Sequence, residues 1–229
     1  MTRGFFITGT DTDIGKTKVS LGLLSAINAI DHSTVAMKPV ASGCVHTSEG
    51  LRSDDAIQLS ELASIKLPYE KINPYAFEPP IAPHIAADQV GTKIDTSTIT
   101  KYFQEISHLA DYIIVEGVGG WQVPLNENET LADLAEILGL PVILVVGMRL
   151  GCLNHALLSW ESIHRRNIRL AGWVANQIQP NFPNLDENVA TLERYIQAPL
   201  LGLIPYLPAP NPSSIASFLN LQMLVRNAG

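Results

Sequence analysis

Short runs of apolar residues alternate along the chain with segments in which apolar residues recur at helical spacing. The apolar runs predict buried strands at residues 4–8, 34–38, 112–115, 141–146, 170–174 and 200–204. Helices are predicted between them at residues 16–29, 95–109, 131–138, 153–165 and 186–196. Strands that are apolar throughout are buried on both faces, as in a parallel sheet covered by helices. The pattern therefore predicts a doubly wound α/β fold, with a mainly parallel sheet and helices on both faces.

Two segments depart from this alternation. Residues 73–83 are rich in proline, which excludes a central strand and a helix interior, so a loop within the domain is predicted. The segment after Pro210 is rich in Pro and Ser and then helical, and no role is assigned to it. No internal repeat and no second domain are visible, so a single domain is predicted over residues 1–229.

Composition narrows the classes of function. Hydrophobic residues make up 46% of the chain and charged residues 16%, which is ample for a large core. The net charge of −7 argues against a nucleic-acid partner, because phosphate backbones bind clusters of Lys and Arg. The adjacent pair Arg165 and Arg166 is interpreted as a solvated helix end.

The cysteines and the longest apolar stretch bear on location. Cys44 and Cys152 have no metal-ligand spacing, so reduced thiols are expected. The apolar stretch at residues 141–147 is far shorter than the roughly 18 residues of a membrane helix, and no signal peptide opens the chain. A cytoplasmic protein without a membrane partner is expected.

The segment GTDTDIGKT, from Gly9 to Thr17, lies between a predicted strand and a predicted helix. A phosphate-binding P-loop needs glycines so that backbone N–H groups can surround phosphate, a Lys that reaches the β- and γ-phosphates, and a hydroxyl for Mg²⁺. The helix that follows directs its positive end at the phosphates. Five residues separate Gly9 from Gly15, one more than in the common pattern. The strand–loop–helix context nevertheless predicts a P-loop that binds ATP with Mg²⁺.

Charged residues follow two other predicted strands. Glu116 directly follows the predicted strand at residues 112–115 and precedes glycines. A carboxylate in this position suits a ligand of the metal ion that a bound nucleotide carries. Lys38 ends the second strand, where its charge could stabilise a phosphoryl group, although a surface Lys is the simpler interpretation. Asp54 and Asp55 open a predicted helix, so one of them is either an N-cap or a metal ligand.

The segment LGCLNH, residues 150–155, opens a helix after the strand at residues 141–146. Free N–H groups at such a helix start can bind a carboxylate. His155 is interpreted as a packing residue rather than as a general base.

The ordered set of motifs resembles the dethiobiotin synthetases. TGTDTDIGKT, KPVASG, GLRSDDA, NPYAF, PH at residues 83–84, VEGVGGW, PVILVVG, LGCLNHA, LAGWVAN and APLLGLIP cover nearly all of residues 4–205. The lengthened P-loop is the normal form in that family. The resemblance implies ring closure of 7,8-diaminopelargonate with CO₂ and ATP, through a carbamate and a carbamic–phosphoric anhydride. Catalysis would then rest on positioning and electrostatic stabilisation.

The resemblance also implies roles for individual residues. Lys16 and Lys38 would stabilise the transferring phosphoryl group, with Thr12 and Ser42 orienting the carbamate. Mg²⁺ would be held by Thr17, Asp55 and Glu116. The nucleotide would contact Gly9, Asp13, Ile14, Gly15, Lys16, Thr17, Glu116, Asn176, which reads the adenine edge, and Pro205.

The family is a homodimer with shared active sites. The resemblance implies that the substrate carboxylate binds the helix start of the neighbouring subunit, formed by Gly151, Cys152, Leu153 and Asn154. Asp13 stands where many members have Glu, with no expected consequence because both are acidic.

Two alternative functions are compatible with a P-loop in an α/β fold. A nucleotide-switch ATPase of the partitioning or septum-positioning type would share the fold and the P-loop class. Those proteins carry an extra Lys early in the loop, where this chain has Asp11, and no basic amphipathic tail is evident. An amide ligase of the cobyrinate type would need a glutaminase domain, for which 229 residues leave no room.

Overall fold

The computed structural model describes residues 3–225. The described strands are β1 (Arg3–Gly9), β2 (Thr34–Met37), β3 (Val40–Ser42), β4 (Val45–Thr47), β5 (Gly50–Arg52), β6 (Tyr75–Phe77), β7 (Tyr112–Glu116), β8 (Val142–Met148), β9 (Leu170–Gln177) and β10 (Leu200–Ile204). The described helices are α1 (Lys16–Asn28), α2 (Asp54–Leu62), α3 (Tyr69–Ile72), α4 (Pro83–Gln89), α5 (Thr96–Ile106), α6 (Leu131–Leu138), α7 (Cys152–Arg165), α8 (Leu185–Tyr195), α9 (Pro212–Ala216) and α10 (Leu221–Val225). Among these residues no helix is long and apolar enough to cross a membrane.

Six strands form the central sheet in the order β10-β9-β8-β1-β7-β2, and every pairing is parallel. The P-loop strand β1 lies between β7 and β8, so the carboxyl ends of three neighbouring strands meet beside the P-loop. The predicted α/β fold with a parallel sheet is confirmed. The order explains why chemistry carried by distant segments can converge, because parallel strands end at one edge.

Helices cover both faces of the sheet. Side chains of α1, α2 and α9 pack with one set of sheet residues, which includes Ile7, Ile114 and Val145. Side chains of α5 and α6 pack on the other face with Phe6, Ile113 and others, while α7 and α8 cover β8 and β9 on that face. The alternation of strand side chains between two cores follows from the two-residue period of a strand.

All six strands and five helices predicted from the sequence are present, with bounds that differ by a few residues. The largest differences at one end are three residues, at α5, which ends at Ile106, and at β9, which continues to Gln177 because its last polar residues still pair with β8. The prediction that residues 73–83 form only a loop is wrong. Tyr75–Phe77 forms the short strand β6, which pairs with β3 outside the central sheet, where proline neighbours are tolerated.

The segment after Pro210 packs against the P-loop helix. Ile215, Leu219 and Leu224 are buried in the core cluster that contains α1. The Asn220 N–H donates to the Leu201 carbonyl of the edge strand β10 at 2.7 Å. These contacts give the segment a structural role that the sequence left open.

Candidate functional site

The P-loop occupies the turn between β1 and α1. Gly15 caps α1 with φ of 90°, and Asp13 has φ of 58°. Gly tolerates this left-handed conformation, and Asp tolerates it better than most residues. The Thr10 N–H donates to Val145 of β8 at 3.0 Å, and Asn176 Nδ2 donates to the Ile14 carbonyl at 2.7 Å. Neighbouring strands therefore hold both ends of the loop.

Lys16 is the first residue of α1 and is 7% exposed. Its Nζ donates to the Asp11 carbonyl at 2.8 Å, within the P-loop itself. Burial, and then the charge of Lys38, lower the pKa of Lys16 to about 8. An anion bound in the loop would raise that pKa again, because an opposite charge favours the ammonium form.

Lys38 and two carboxylates form a cluster beside the P-loop. The buried Lys38 Nζ lies 2.6 Å from Glu116 Oε1 and 2.9 Å from Asp55 Oδ2, and it donates to the Gly117 carbonyl at 3.1 Å. Burial alone would lower the pKa of Lys38, but Glu116 and Asp55 raise it above its usual value. Burial alone would raise the pKa of Asp55, but the charge and hydrogen bond of Lys38 lower it. Lys38 and Asp55 therefore each favour the charged form of the other.

Thr17 connects this cluster to the P-loop. Its hydroxyl lies 2.9 Å from Asp55 Oδ1 and 2.8 Å from Glu116 Oε1. Glu116 Oε2 is buried and has no hydrogen-bond partner within the described part of the chain. The oxygens of Thr17, Asp55 and Glu116 are hard ligands, and Glu116 Oε2 still has free lone pairs. This set fits a divalent cation such as Mg²⁺, which takes few protein ligands when it also binds phosphate.

The two interpretations of the Asp54–Asp55 pair are distinguished by the start of α2. Ser53 is the N-cap, and its side chain accepts the Ala56 N–H. The capping interpretation of Asp54 and Asp55 is therefore wrong, and Asp55 is free to contact Thr17 and Lys38.

A cavity of about 970 Å³ opens in front of these groups. It brings together the predicted site residues Thr12, Asp13, Gly15, Lys16, Thr17, Lys38, Ser42 and Asp55. Ser42 Oγ is buried there without a hydrogen-bond partner in residues 3–225, so it can bind a ligand atom. Three other predicted site residues do not line the cavity because they are buried: Gly9, Ile14 and Glu116.

Part of the cavity lining was not predicted from the sequence. One wall is formed by the segment that leads into α4, with Pro80, Ile81, Ala82 and the first helical residue Pro83. Val118, Gly119 and Gly120 form another after β7. The glycines that follow Glu116 were a usable signal for the second wall, whereas a proline-rich loop carries no local signal of what it faces.

Two groups of predicted site residues lie outside this cavity. Asn176 is 4% exposed and faces the P-loop backbone. Its strand partner Ile204 precedes Pro205, so both predicted base-binding residues lie at the same edge of the sheet. The residues of the α7 start are absent from the lining of the cavity.

The start of α7 is open to solvent. Gly151 caps the helix with φ of 93°, and Leu150 before it is 95% exposed. The Cys152 N–H donates to the Arg149 carbonyl at 3.0 Å, so one of the predicted free N–H groups is used within the turn. His155 is exposed, so its interpretation as a packing residue is wrong. Its face of α7 borders a second cavity of about 400 Å³ that also includes Trp121 and Leu158.

Sequence comparisons identify close relatives. The family model described as "AAA domain" matches residues 3–214. The ATP-dependent dethiobiotin synthetase BioD of Pseudomonas paraeruginosa is 51% identical over 221 residues, covering 96% of this chain and 97% of that protein. The synthetase of Cellvibrio japonicus is 48% identical over 97% of this chain and 98% of its own length. BioD 1 of Salmonella typhi is 44% identical over 99% of this chain and all of its own length.

Structure comparisons find the same fold in more distant proteins. The septum site-determining protein MinD of Pyrococcus horikoshii, complexed with Mg-ADP, has a TM-score of 0.54 at 15% identity and covers all of this chain and 91% of its own. MinD of Aquifex aeolicus has a TM-score of 0.57 at 15% identity, with 99% and 95% covered. Identity this low shows a shared fold alone, so it does not favour the nucleotide-switch alternative.

Proposed function

The chain belongs to the ATP-dependent dethiobiotin synthetases, ligases of biotin biosynthesis, and we propose that it joins 7,8-diaminopelargonate and CO₂ at the expense of ATP. The observation that carries this proposal is the meeting of two buried lysines, Lys16 and Lys38, in one cavity with Asp55. Such a site can bind an anion and stabilise charge that develops during phosphoryl transfer. The proposed reaction requires no nucleophile from the protein, because the substrate amines and the carbamate oxygen are the attacking groups.

The reaction proceeds in three steps. One amine of diaminopelargonate attacks CO₂, forms a C–N bond and loses a proton, which gives a carbamate. A carbamate oxygen then attacks the γ-phosphorus while the bond to the bridging oxygen breaks, which releases ADP and leaves a carbamic–phosphoric anhydride. The second amine attacks the carbonyl carbon, the C–O bond to phosphate breaks, and the ureido ring closes. Each step needs orientation more than proton transfer.

Lys16 and Lys38 are the catalytic residues, together with Thr12. The Lys16 ammonium donates to the Asp11 carbonyl at 2.8 Å in the free protein, and on nucleotide binding it would donate to phosphate oxygens instead. Lys38 adds a second positive charge beside the transferring group. Thr12 and Ser42 orient the carbamate, and Lys38 also contacts it.

Thr17, Asp55 and Glu116 would hold Mg²⁺, which would neutralise charge on the β- and γ-phosphates. The buried, unpartnered Glu116 Oε2 supports this assignment. Asp55→Asn and Glu116→Gln should each raise the Mg²⁺ concentration required for half-maximal rate. An unchanged Mg²⁺ dependence in both variants would remove these carboxylates from the metal site.

The nucleotide-binding assignment includes the P-loop residues Gly9, Asp13, Ile14 and Gly15. Asn176 and Pro205 would contact the adenine. The hydrogen bond from Asn176 Nδ2 to the Ile14 carbonyl leaves Oδ1 as an acceptor, which suits the 6-amino group of adenine.

A homodimer with shared active sites completes the proposal. Gly151, Cys152, Leu153 and Asn154 would bind the substrate carboxylate of the partner subunit's site. The exposure of Leu150 and Gly151 supports an interface here. We also propose that the chain acts as one domain in the cytoplasm, without a nucleic-acid or membrane partner.

The direct test mixes the purified protein with diaminopelargonate, bicarbonate and MgATP and measures dethiobiotin by mass. Phosphate release should depend on both diaminopelargonate and CO₂. An ATPase rate that is unaffected when either is omitted, with no dethiobiotin formed, would overturn the proposal in favour of a nucleotide switch.

A further inference from the structure

Asp11 is a charged residue in the P-loop that the proposed reaction does not use. Its backbone carbonyl accepts the Lys16 ammonium at 2.8 Å, and its Oδ1 accepts the Thr12 N–H at 2.8 Å. Its Oδ2 accepts the Arg149 guanidinium. Through separate oxygens, Asp11 thus contacts two residues of the proposed catalytic set and one residue from a distant segment.

Arg149 reaches Asp11 from the neighbouring strand. It directly follows β8, which pairs with β1 in the sheet, and its carbonyl accepts the Cys152 N–H in the first turn of α7. The bond to Asp11 therefore joins two loops that both end at the phosphate side of the sheet. One is the P-loop, and the other is the turn that begins α7.

The partial exposure of this ion pair limits its contribution to stability. The Arg149 side chain is 36% exposed and the Asp11 side chain 42%. Ion pairs this accessible to water contribute little to folding. Its effect on a bound anion is different, because an uncompensated carboxylate at the mouth of a phosphate site repels the phosphates directly.

We propose that Arg149 is a positioning residue for nucleotide binding. It neutralises Asp11 and holds the carboxylate in the orientation that fixes the Thr12 N–H and the carbonyl on which Lys16 rests. Arg149 itself does not touch the reacting atoms. The bond also joins the P-loop to the turn that precedes α7, and so connects the nucleotide site with the proposed carboxylate site.

The test measures MgATP binding by calorimetry in the intact protein. Arg149→Gln should weaken binding about five- to tenfold, because one compensating charge is lost beside the phosphates. Arg149→Lys keeps the charge and should recover most of that loss. Arg165→Gln is the matched control, since Arg165 makes an exposed ion pair with Glu161 within α7. The MgATP affinity of this variant should be unchanged.

A double-mutant comparison separates charge compensation from a structural effect. In Arg149→Gln, adding Asp11→Asn removes the repelling charge and should restore MgATP affinity to within about twofold of the Asp11→Asn protein. Urea unfolding of all variants should remain close to the wild type. Normal affinity in Arg149→Gln, or a loss that persists after Asp11→Asn, or a loss that follows unfolding stability, would overturn the proposal.

The readout does not depend on dethiobiotin formation. If the wild type forms no dethiobiotin, the proposed function fails while the binding comparison still decides the role of Arg149. If turnover is normal but Arg149→Gln binds MgATP like the wild type, only the role of Arg149 is excluded.

Discussion

Two helices of this protein begin in the same way and differ in what surrounds them. Both α1 and α7 follow buried neighbouring strands and are capped by a left-handed glycine, Gly15 with φ of 90° and Gly151 with φ of 93°, without a side-chain cap. The start of α1 lines the large cavity, whereas residue 150 beside the start of α7 is 95% exposed. The same local structure thus begins one helix inside a cavity and the other in an open position.

A glycine-capped helix start does not complete a binding site by itself. At α1, side chains from three other segments contact the helix start or its neighbours, namely Lys38, Asp55 and Glu116. At α7, Leu150 and Gly151 are exposed. The proposed contribution of a partner subunit would enclose this open start.

A helix with its own side-chain cap gives a third case. Thr130 and Asp133 form a capping box at the start of α6, where each side chain satisfies the other's backbone N–H. Arg166 lies at the C-terminal end of α7, as predicted, and its guanidinium also pairs with Asp133 and Glu136. A helix start that is capped in this way has fewer free N–H groups for a ligand.

The largest expected effect on stability is the difference between two single variants, each of which adds a methyl group to one of the capping glycines. In Gly15→Ala the new Cβ would lie 2.2 Å from Asn176 Nδ2 in a left-handed backbone, so we expect about 2–5 kcal/mol of lost stability and no detectable turnover. Gly151→Ala has nothing within 4 Å of the new Cβ and should lose only about 1–2 kcal/mol from backbone strain. Urea unfolding measures both, and equal losses would contradict the comparison.

The second effect concerns the charge at the enclosed helix start. Lys16→Ala should reduce turnover about 10²–10³-fold, since its ammonium acts where charge develops during transfer. The KM for diaminopelargonate should change much less. Steady-state kinetics with saturating MgATP would separate the two parameters, and near-normal turnover would remove Lys16 from the mechanism.

Lys16 also predicts a dependence of binding on pH. Its pKa of about 8 in the free protein means that Lys16 is protonated below pH 8 and neutral well above it. Phosphate raises this pKa, so MgATP binding should take up a proton at pH 9 and almost none at pH 6.5, and affinity should fall above about pH 8. Calorimetry in buffers of different ionisation enthalpy measures the uptake. The Lys16→Ala protein should show none.

A smaller effect is expected at the open helix start. Asn154→Asp places a negative charge against the substrate carboxylate and should raise the KM for diaminopelargonate about tenfold, with MgATP affinity almost unchanged. Mixing Asn154→Asp subunits with Lys16→Ala subunits should restore part of the activity, because one site of a mixed dimer has both wild-type residues. If subunit exchange is confirmed and no activity returns, the shared site is excluded.

The smallest effect is expected at the side-chain cap. Thr130→Ala should destabilise the protein by about 1 kcal/mol without a change in turnover. Burial alone would raise the pKa of Asp133, but the hydrogen bonds with Thr130 and the pair with Arg166 lower it. The stabilisation that Asp133 gives the folded protein is therefore present at neutral pH and is lost as the pH falls through the pKa of Asp133 in the folded state. Urea unfolding at pH 7 and in acid would measure this, and a slower reaction in Thr130→Ala would contradict a purely structural cap.

The amino-acid sequence alone was enough to identify the six central strands and five of the helices, and to propose candidate site residues, but not to find the short strands β3 to β6. Periodicity identified β1, β7, β8 and the helices between them, because burial on two faces imposes an apolar run whatever the neighbours are. The motif around Gly15 identified the P-loop, since its glycines and Lys are required by phosphate itself. Resemblance to one family then assigned roles to Lys38, Asp55 and Glu116 that local pattern left ambiguous.

Only the tertiary structure decided which of those residues meet. Lys38 and Glu116 are 78 positions apart, Asp11 and Arg149 are 138 apart, and Ile14 and Asn176 are 162 apart. Each pair is in contact because parallel strands end at one edge, and the sheet order sets which ends are neighbours. That order depends on packing across the whole core, so no local segment encodes that α1 begins inside a cavity while α7 begins in solvent.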